Sequence, residues 1–312
     1  MATISAKDVA ALRAKTGIGM MECKKALVEA DGDMEKALKL LRERGLAVAA
    51  KKESRIAAEG VVDILTENNV SAVIEVNSET DFVARNQSFR DFVKALLKTV
   101  IAERPADVDA LMQCKYADDP SVTVDAKLSE MRFTIGEKIS IRRFEVREGF
   151  TGTYVHHDSS TAVIVCFDVD PAAAATDAFA KLAKNIALQI AGNTPSPTYV
   201  SREQVPASVY EEEKNIQIAA LKNDPKNANK PENILEKIVI GRMGKFYENV
   251  CLLDQPYILD DDLTVSKYIA SASKEIGSPV KVKEFILYNK GEGLQKREDN
   301  FAEEIAQMTG KA

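Results

Sequence analysis

SAVIEVNSETDFVARNQSFRDFVKALLKTVIA, Ser71 to Ala102, reads as a strand, a short polar connection and an amphipathic helix in one run. Val73, Ile74 and Val76 give its start the β-branched density of a strand, while Phe89, Phe92, Val93, Leu96, Leu97 and Val100 recur at helical spacing. TAVIVCFDVDPAAAATDAFAKLAKNIALQIAG, Thr161 to Gly192, aligns with it without a gap at an offset of 90. Ala72, Val73 and Ile74 match Ala162, Val163 and Ile164; Phe89 matches Phe179, Lys94 matches Lys184, and Leu96 and Val100 fall on Ile186 and Ile190. A repeat of this period marks a duplicated module.

Each copy is preceded by a further short strand, Gly60 to Leu65 and Gly152 to His156. Each is closed by a later one, Lys138 to Val146 and Val280 to Leu287. In the first closing strand the alternation of Ile139, Ile141 and Arg143 against Ser140, Arg142 and Phe144 is not clean, but the β-branched content supports a strand. The expected class is therefore α+β: a duplicated core of small antiparallel sheets with covering helices.

The copies differ in two places. Where the first has Thr80, Asp81, Phe82 and Val83 in its connection, the second has Asp170, Pro171, Ala172 and Ala173. A ring needed for the shared core would have a counterpart in the second copy, so Phe82 reads as held out for a partner. The second copy also spends a far longer stretch before its closing strand. That surplus reads as a helical hairpin over about 201–248, with Val205, Val209, Ile216 and Ala220 on one helix and Leu235, Val239, Arg242 and Phe246 on the other. Asn223, Asp224 and Pro225 break between them, and Pro231 suits the first turn of the second. Such a hairpin is an arm for a partner or a second copy, or cover for the core.

The first 45 residues read as three short helices. Ser5 and Asp8 form a capping box, Gly17 suits a left-handed cap, Asp31 and Gly32 turn the chain, Asp33 caps the third helix and Gly45 stops it. So small a core leans on another surface. Met20, beside Gly19, has two roles open to it, core filler and partner contact. Gly45 to Gly60, rich in Ala and Lys, reads as a linker. At the other end Phe301, Ile305 and Met308 make an apolar stripe on a charged helix that must dock somewhere.

The chain has 312 residues, 45% hydrophobic and 29% charged, enough for more than one domain. A net charge of −6 argues against a general nucleic-acid binder. No apolar stretch is long enough to span a membrane, and Lys7 and Asp8 stand where a signal peptide would be apolar, so a cytoplasmic location and no membrane partner are expected. Cys23, Cys114, Cys166 and Cys251 lack metal or disulfide spacing. The two histidines, His156 and His157, lie in one turn without a nucleophile elbow, and phosphate-binding loops are missing. Neither a cofactor nor bond-making chemistry is expected.

TGIGMMECKKAL (Thr16 to Leu27), EVNSETDFVARN (Glu75 to Asn86), IGEKISIRR (Ile135 to Arg143) and GRMGKF (Gly241 to Phe246) resemble motifs of the bacterial elongation factor Ts family, and the resemblance covers essentially the whole chain. It implies a guanine-nucleotide exchange factor that binds elongation factor Tu in its GDP form and holds the nucleotide-free form until GTP enters. It also implies a ubiquitin-associated-like helical domain with linker over 1–54, core subdomains over 55–147 and 148–290, and a C-terminal docking module over 291–312. By the same resemblance Thr80, Asp81, Phe82 and Val83 dislocate the partner's Mg²⁺, and Met20, Met21, Lys24, Ile135, His156, Phe301 and Ile305 contact the partner. The hairpin is a site where two copies could pair.

Overall fold

Ser5 and Asp8 exchange hydrogen bonds at the start of α1 (Ala6–Thr16): the Ser5 N–H donates to Asp8 Oδ2 at 3.2 Å and the Asp8 N–H to Ser5 Oγ at 3.1 Å. This is the capping box read from the sequence. The computed structural model describes residues 4–16, 18–52, 55–224 and 231–295. Gly17 and Pro225, with Phe301, Ile305 and Met308, lie outside them. α2 (Met20–Glu29) follows, and Asp31 and Gly32 turn the chain at positive φ. Asp33 Oδ1 then accepts from the N–H groups of Glu35 and Lys36, opening α3 (Met34–Lys52). Leu12, Cys23, Leu27, Ala37 and Leu41 make the small core of the three helices.

Gly45 does not stop α3, which runs on to Lys52 and takes up the first half of the expected linker. A Cβ on Gly45 would lie 3.3 Å from that of Phe133, so the glycine serves close packing within a helix rather than a cap.

The first half of the duplicated core runs β1 (Glu59–Glu67), β2 (Val70–Ser78), α4 (Asp81–Arg85), α5 (Gln87–Glu103), α6 (Val108–Gln113), β3 (Lys115–Tyr116), β4 (Asp119–Thr123), α7 (Val124–Ile135) and β5 (Ile139–Glu148). The second runs β6 (Phe150–Val155), β7 (Thr161–Asp168), α8 (Pro171–Ala174), α9 (Asp177–Gly192), α10 (Ala207–Asn223), α11 (Glu232–Val250), β8 (Pro256–Tyr257), β9 (Asp260–Thr264), α12 (Val265–Ile276) and β10 (Lys281–Asn289). The main sheets are three-stranded and antiparallel, ordered β1-β2-β5 and β10-β7-β6. Helix α5 packs its Phe89, Phe92, Leu96 and Val100 into the first core, and α9 its Phe179, Ile186 and Ile190 into the second. Between the sheets, Val62 and Val73 of the first meet Ala162, Ile164, Ile286 and Tyr288 of the second.

The duplication reaches beyond the stretch that reveals it in sequence. Thr123 and Thr264 each cap the helix that follows, accepting from the N–H groups of Ala126 and Lys267. Tyr116 and Tyr257 are both buried, and Gly136 and Gly277 both end those helices in the left-handed conformation. These pairs are 141 apart rather than 90, because the hairpin is inserted ahead of β8.

The hairpin helices pair through Leu221, Leu235, Val239 and Met243, with Tyr210, Ile218 and Phe246 against them. Ile216, Ala220 and Arg242 lie on the expected helices but are exposed, and Val205, read as part of the first helix, precedes α10. The inner row of α11 steps by four from Leu235 through Val239 to Met243, which turns Arg242 outward.

Glu75 is the one charged residue in β2, and its side chain is 0% exposed. It accepts from Arg143 Nε at 2.7 Å, Arg142 Nη1 at 3.0 Å, Asn77 Nδ2 at 3.1 Å and the Gly291 N–H at 2.8 Å. Consecutive strand residues ordinarily face opposite sides, yet Arg142 and Arg143 both reach this carboxylate. A register shift between Glu75 and Val76 against β5 makes room, since it leaves Arg142 as the extra residue of a bulge. The unclean alternation in the sequence is this bulge. Arg143 also stacks on the Tyr288 ring at 4.0 Å, and a Cβ on Gly291, whose φ is +69°, would lie 2.4 Å from the Ala58 carbonyl oxygen.

Burial pushes the Glu75 carboxyl up, but the Gly291, Asn77, Arg143 and Arg142 donors outweigh it and hold it below its ordinary value. A carboxyl lowered on folding stabilises fully above its unfolded value of about 4.3, and loses that contribution as pH falls through the lowered folded value. Glu75→Gln is expected to lower stability at pH 7 by about 2–4 kcal/mol, below a fully buried pair because both guanidinium groups retain some water. Urea unfolding should show the gap to wild type narrowing below about pH 4. A gap that stays constant with pH would contradict the role given to this charge.

Candidate functional site

Beyond Ser78 the chain leaves β2 in a fixed path. Ser78 Oγ donates to the Thr80 carbonyl at 2.9 Å, and Thr80 stays extended at φ −126° and ψ 156°. The segment expected to be a plain connection then forms the single turn α4, with Arg85 paired to Asp81 at 2.9 Å. Asn86 Oδ1 accepts from the Ser88 N–H at 2.9 Å to cap α5, and Arg90 Nε donates to the Ala84 carbonyl at 3.0 Å. Val83 and Ala84 are buried in the first core, while Phe82 is 78% exposed. The same pattern holds in α8, where Ala173 is buried and Ala172 exposed. The module points this position outward in both copies, and only the first places a ring there.

Two carboxylates join this turn to the one after α7. Glu137 accepts from the Thr80 N–H at 3.0 Å through Oε2 and from Thr80 Oγ1 at 2.7 Å through Oε1. Glu79 accepts in return from the Lys138 N–H, and Arg55 lies 3.3 Å from it.

On α2, Met20 is 40% exposed and Met21 65%, with Lys24 exposed on the next turn. Ile18 and Cys23 fill the core instead, so the filler reading of Met20 does not hold. Val28, four residues past Lys24, extends this apolar face, and the helical spacing alone could have found it. The three helices lean on α7: Phe133 packs into their core and Thr134 Oγ1 meets the Thr16 carbonyl at 3.5 Å. Ile135 is half-buried against the first core. The end of α7 thus gathers the helical unit, Ile135 and the Thr80 turn.

His156 belongs to another element, the turn between β6 and β7. Its Nδ1 lies 3.1 Å from the Tyr154 hydroxyl, and its ring meets the His157 edge at 4.4 Å. Ser159 in the same turn accepts from the Val62 N–H at 3.0 Å, which ties it to β1. Phe301 and Ile305 lie outside the described residues.

Among the described residues no cluster of three or more His, Cys, Asp or Glu is placed to hold a metal, and no helix is long and apolar enough to cross a membrane. The four cysteines are free thiols, and burial pushes those of Cys166 and Cys251 up to about 11.

The fold and this surface define a class: a duplicated α+β core that displays apolar side chains on fixed supports. A family model described as "Elongation factor TS" matches residues 79–292. Elongation factor Ts of Clostridium kluyveri is 43% identical over 99% of this chain and 100% of its own length. That of Pediococcus pentosaceus is 43% identical over 100% of both chains, and that of Syntrophotalea carbinolica 41% identical over 98% of this chain and 99% of its own. The chain belongs to the elongation factor Ts family.

Because Phe133 bridges the seam, Phe133→Ala is expected to loosen α1–α3 alone. Hydrogen exchange should quicken in those helices by about tenfold, the effect of about 1.4 kcal/mol, with β2 and β7 unchanged. Unchanged exchange in α1–α3 would show that Phe133 does not hold the unit.

Proposed function

We propose that this protein binds elongation factor Tu carrying GDP, speeds release of the nucleotide and holds the empty form until GTP enters. The reading rests on one observation: a phenylalanine 78% exposed on a turn whose next two residues are buried. A large ring fixed in this way is an anchor for another protein. Family membership supplies the partner.

Mg²⁺ and its oxygen ligands are the main electrostatic clamp on a bound nucleoside diphosphate. The Thr80 to Val83 segment would act there, with Phe82 as an apolar wedge and Asp81 as a polar group that disturbs the ligands' positions. A factor that binds the nucleotide-free partner tightest must weaken nucleotide binding, by linkage. No bond is made or broken, so the protein is not an enzyme in this reading. Met20, Met21 and Lys24 of the helical unit, which we take to be ubiquitin-associated-like, would grip the GTPase domain. Ile135 and His156, together with Phe301 and Ile305 of the C-terminal module, would add further contacts. Exposed Ile216 and Ile240 on the hairpin are the side chains for pairing two copies. The work would take place in the cytoplasm.

Release of fluorescent GDP from elongation factor Tu, followed by stopped flow, tests the proposal. Wild type is expected to accelerate release, and Phe82→Ala to lower the maximal rate by about tenfold or more with unchanged circular dichroism. A version lacking residues 1–54 should need a higher concentration for half-maximal effect. Binding with no change in the GDP off-rate would leave an interaction scaffold and sink the exchange reading.

A further inference from the structure

Glu79 and Glu137 cross over between two turns, each accepting from the backbone of the other's segment. We infer that this reciprocal clasp, and Glu137 above all, is the positioning device that sets Phe82 for its task; the inference rests on the exchange reading proposed above.

The internal repeat supplies the control. In the second copy the positions of Glu137 and Lys138 are Ser278 and Pro279, and that of Glu79 is Val169. Serine carries no carboxylate, and proline has no N–H to donate. The second copy therefore cannot make the clasp, yet it builds the same strand, single turn and covering helix. Its turn is capped locally instead: Asp170 Oδ1 accepts from the Ala172 N–H at 2.9 Å. In the first copy Thr80 occupies the capping position but makes no side-chain cap, and its hydroxyl donates instead to Glu137. The module folds without the clasp, and the clasp occurs in the copy that carries the exposed ring.

Its geometry suits positioning. Glu137 binds Thr80 at both the N–H and the hydroxyl, so one carboxylate fixes both the path of the chain and the side chain of the residue two before Phe82. Charge-assisted bonds of this kind are stronger than neutral ones. A single helical turn gains little rigidity from its own hydrogen bonds, so its aim must be held from outside. The other end of the clasp is the turn directly after α7, whose Phe133 and Thr134 also carry the three-helix unit. Phe82 and the helical unit thus take their positions from one support. A wedge that acts at a displaced contact must arrive in one orientation, and small misplacements are costly.

The test is a double-mutant cycle on GDP release from elongation factor Tu, with rate measured against factor concentration. Glu137→Ala is expected to lower the maximal release rate by about three- to tenfold while the half-saturating concentration shifts less than about twofold. Glu137→Gln, which keeps an acceptor oxygen, should recover part of the rate, and Thr80→Val, which keeps the N–H, should lose part. In a Phe82→Ala background, Glu137→Ala should have little further effect, since a positioning residue has nothing left to position. Additive losses in the cycle, or a normal rate for Glu137→Ala and Thr80→Val, overturn the inference. Should Glu137→Ala not fold, Glu137→Gln and Thr80→Val carry the same cycle. A Phe82→Ala protein with full activity would instead overturn the exchange reading itself, so the two failures are distinguishable.

Discussion

A carboxylate with no access to water stands at the centre of this protein. Removing Glu75 from solvent is costly unless its oxygens are filled, and here two arginines, an amide and a backbone N–H fill them. Each donor comes from a different structural decision. The arginines require the bulge in β5, Asn77 lies on the strand of Glu75 itself, and Gly291 must pass close enough to present its N–H. The charge therefore ties the register of the first sheet to the end of the second. A slip of one residue in β2 against β5 would strand an anion between apolar layers, so the pairing is specified more sharply than apolar packing alone would require.

Around that joint the two copies have taken on different burdens. The second expanded between α9 and β8 into the hairpin, which has its own apolar core. The first kept the short connection and elaborated the turn after β2. Both retain the features that burial demands: the phenylalanine at the start of the covering helix, its two buried isoleucine or leucine/valine positions, and the threonine-capped helix ended by glycine. Duplication frees outward positions such as 82 and 172 to diverge, because the core does not use them.

Much of the fold was legible because periodicity reports burial directly. The run from Ser71 to Ala102 matched β2 and α5 to within a residue or two, and the exposed Phe82 followed from comparison with Ala172. Errors arose where one residue type serves two ends. Gly45 could cap a helix or admit a neighbour, and only the presence of Phe133 decides between them. In the hairpin, apolar residues lie on several faces, so the inner row could not be chosen without knowing where the partner helix sits. The Glu137 to Thr80 bonds join residues 57 apart, and nothing local marks them. The paired arginines were visible, but that they converge on Glu75 depends on a bulge that the sequence showed only as broken alternation.

The approach of Gly291 to Ala58 has a topological meaning. The chain enters the duplicated core and leaves it at one point, with backbone against backbone and Lys290 paired to Glu59 beside it at 2.6 Å. The core is thus almost a closed ring drawn from a linear polymer. A short covalent link between these positions would complete the circle without moving a strand.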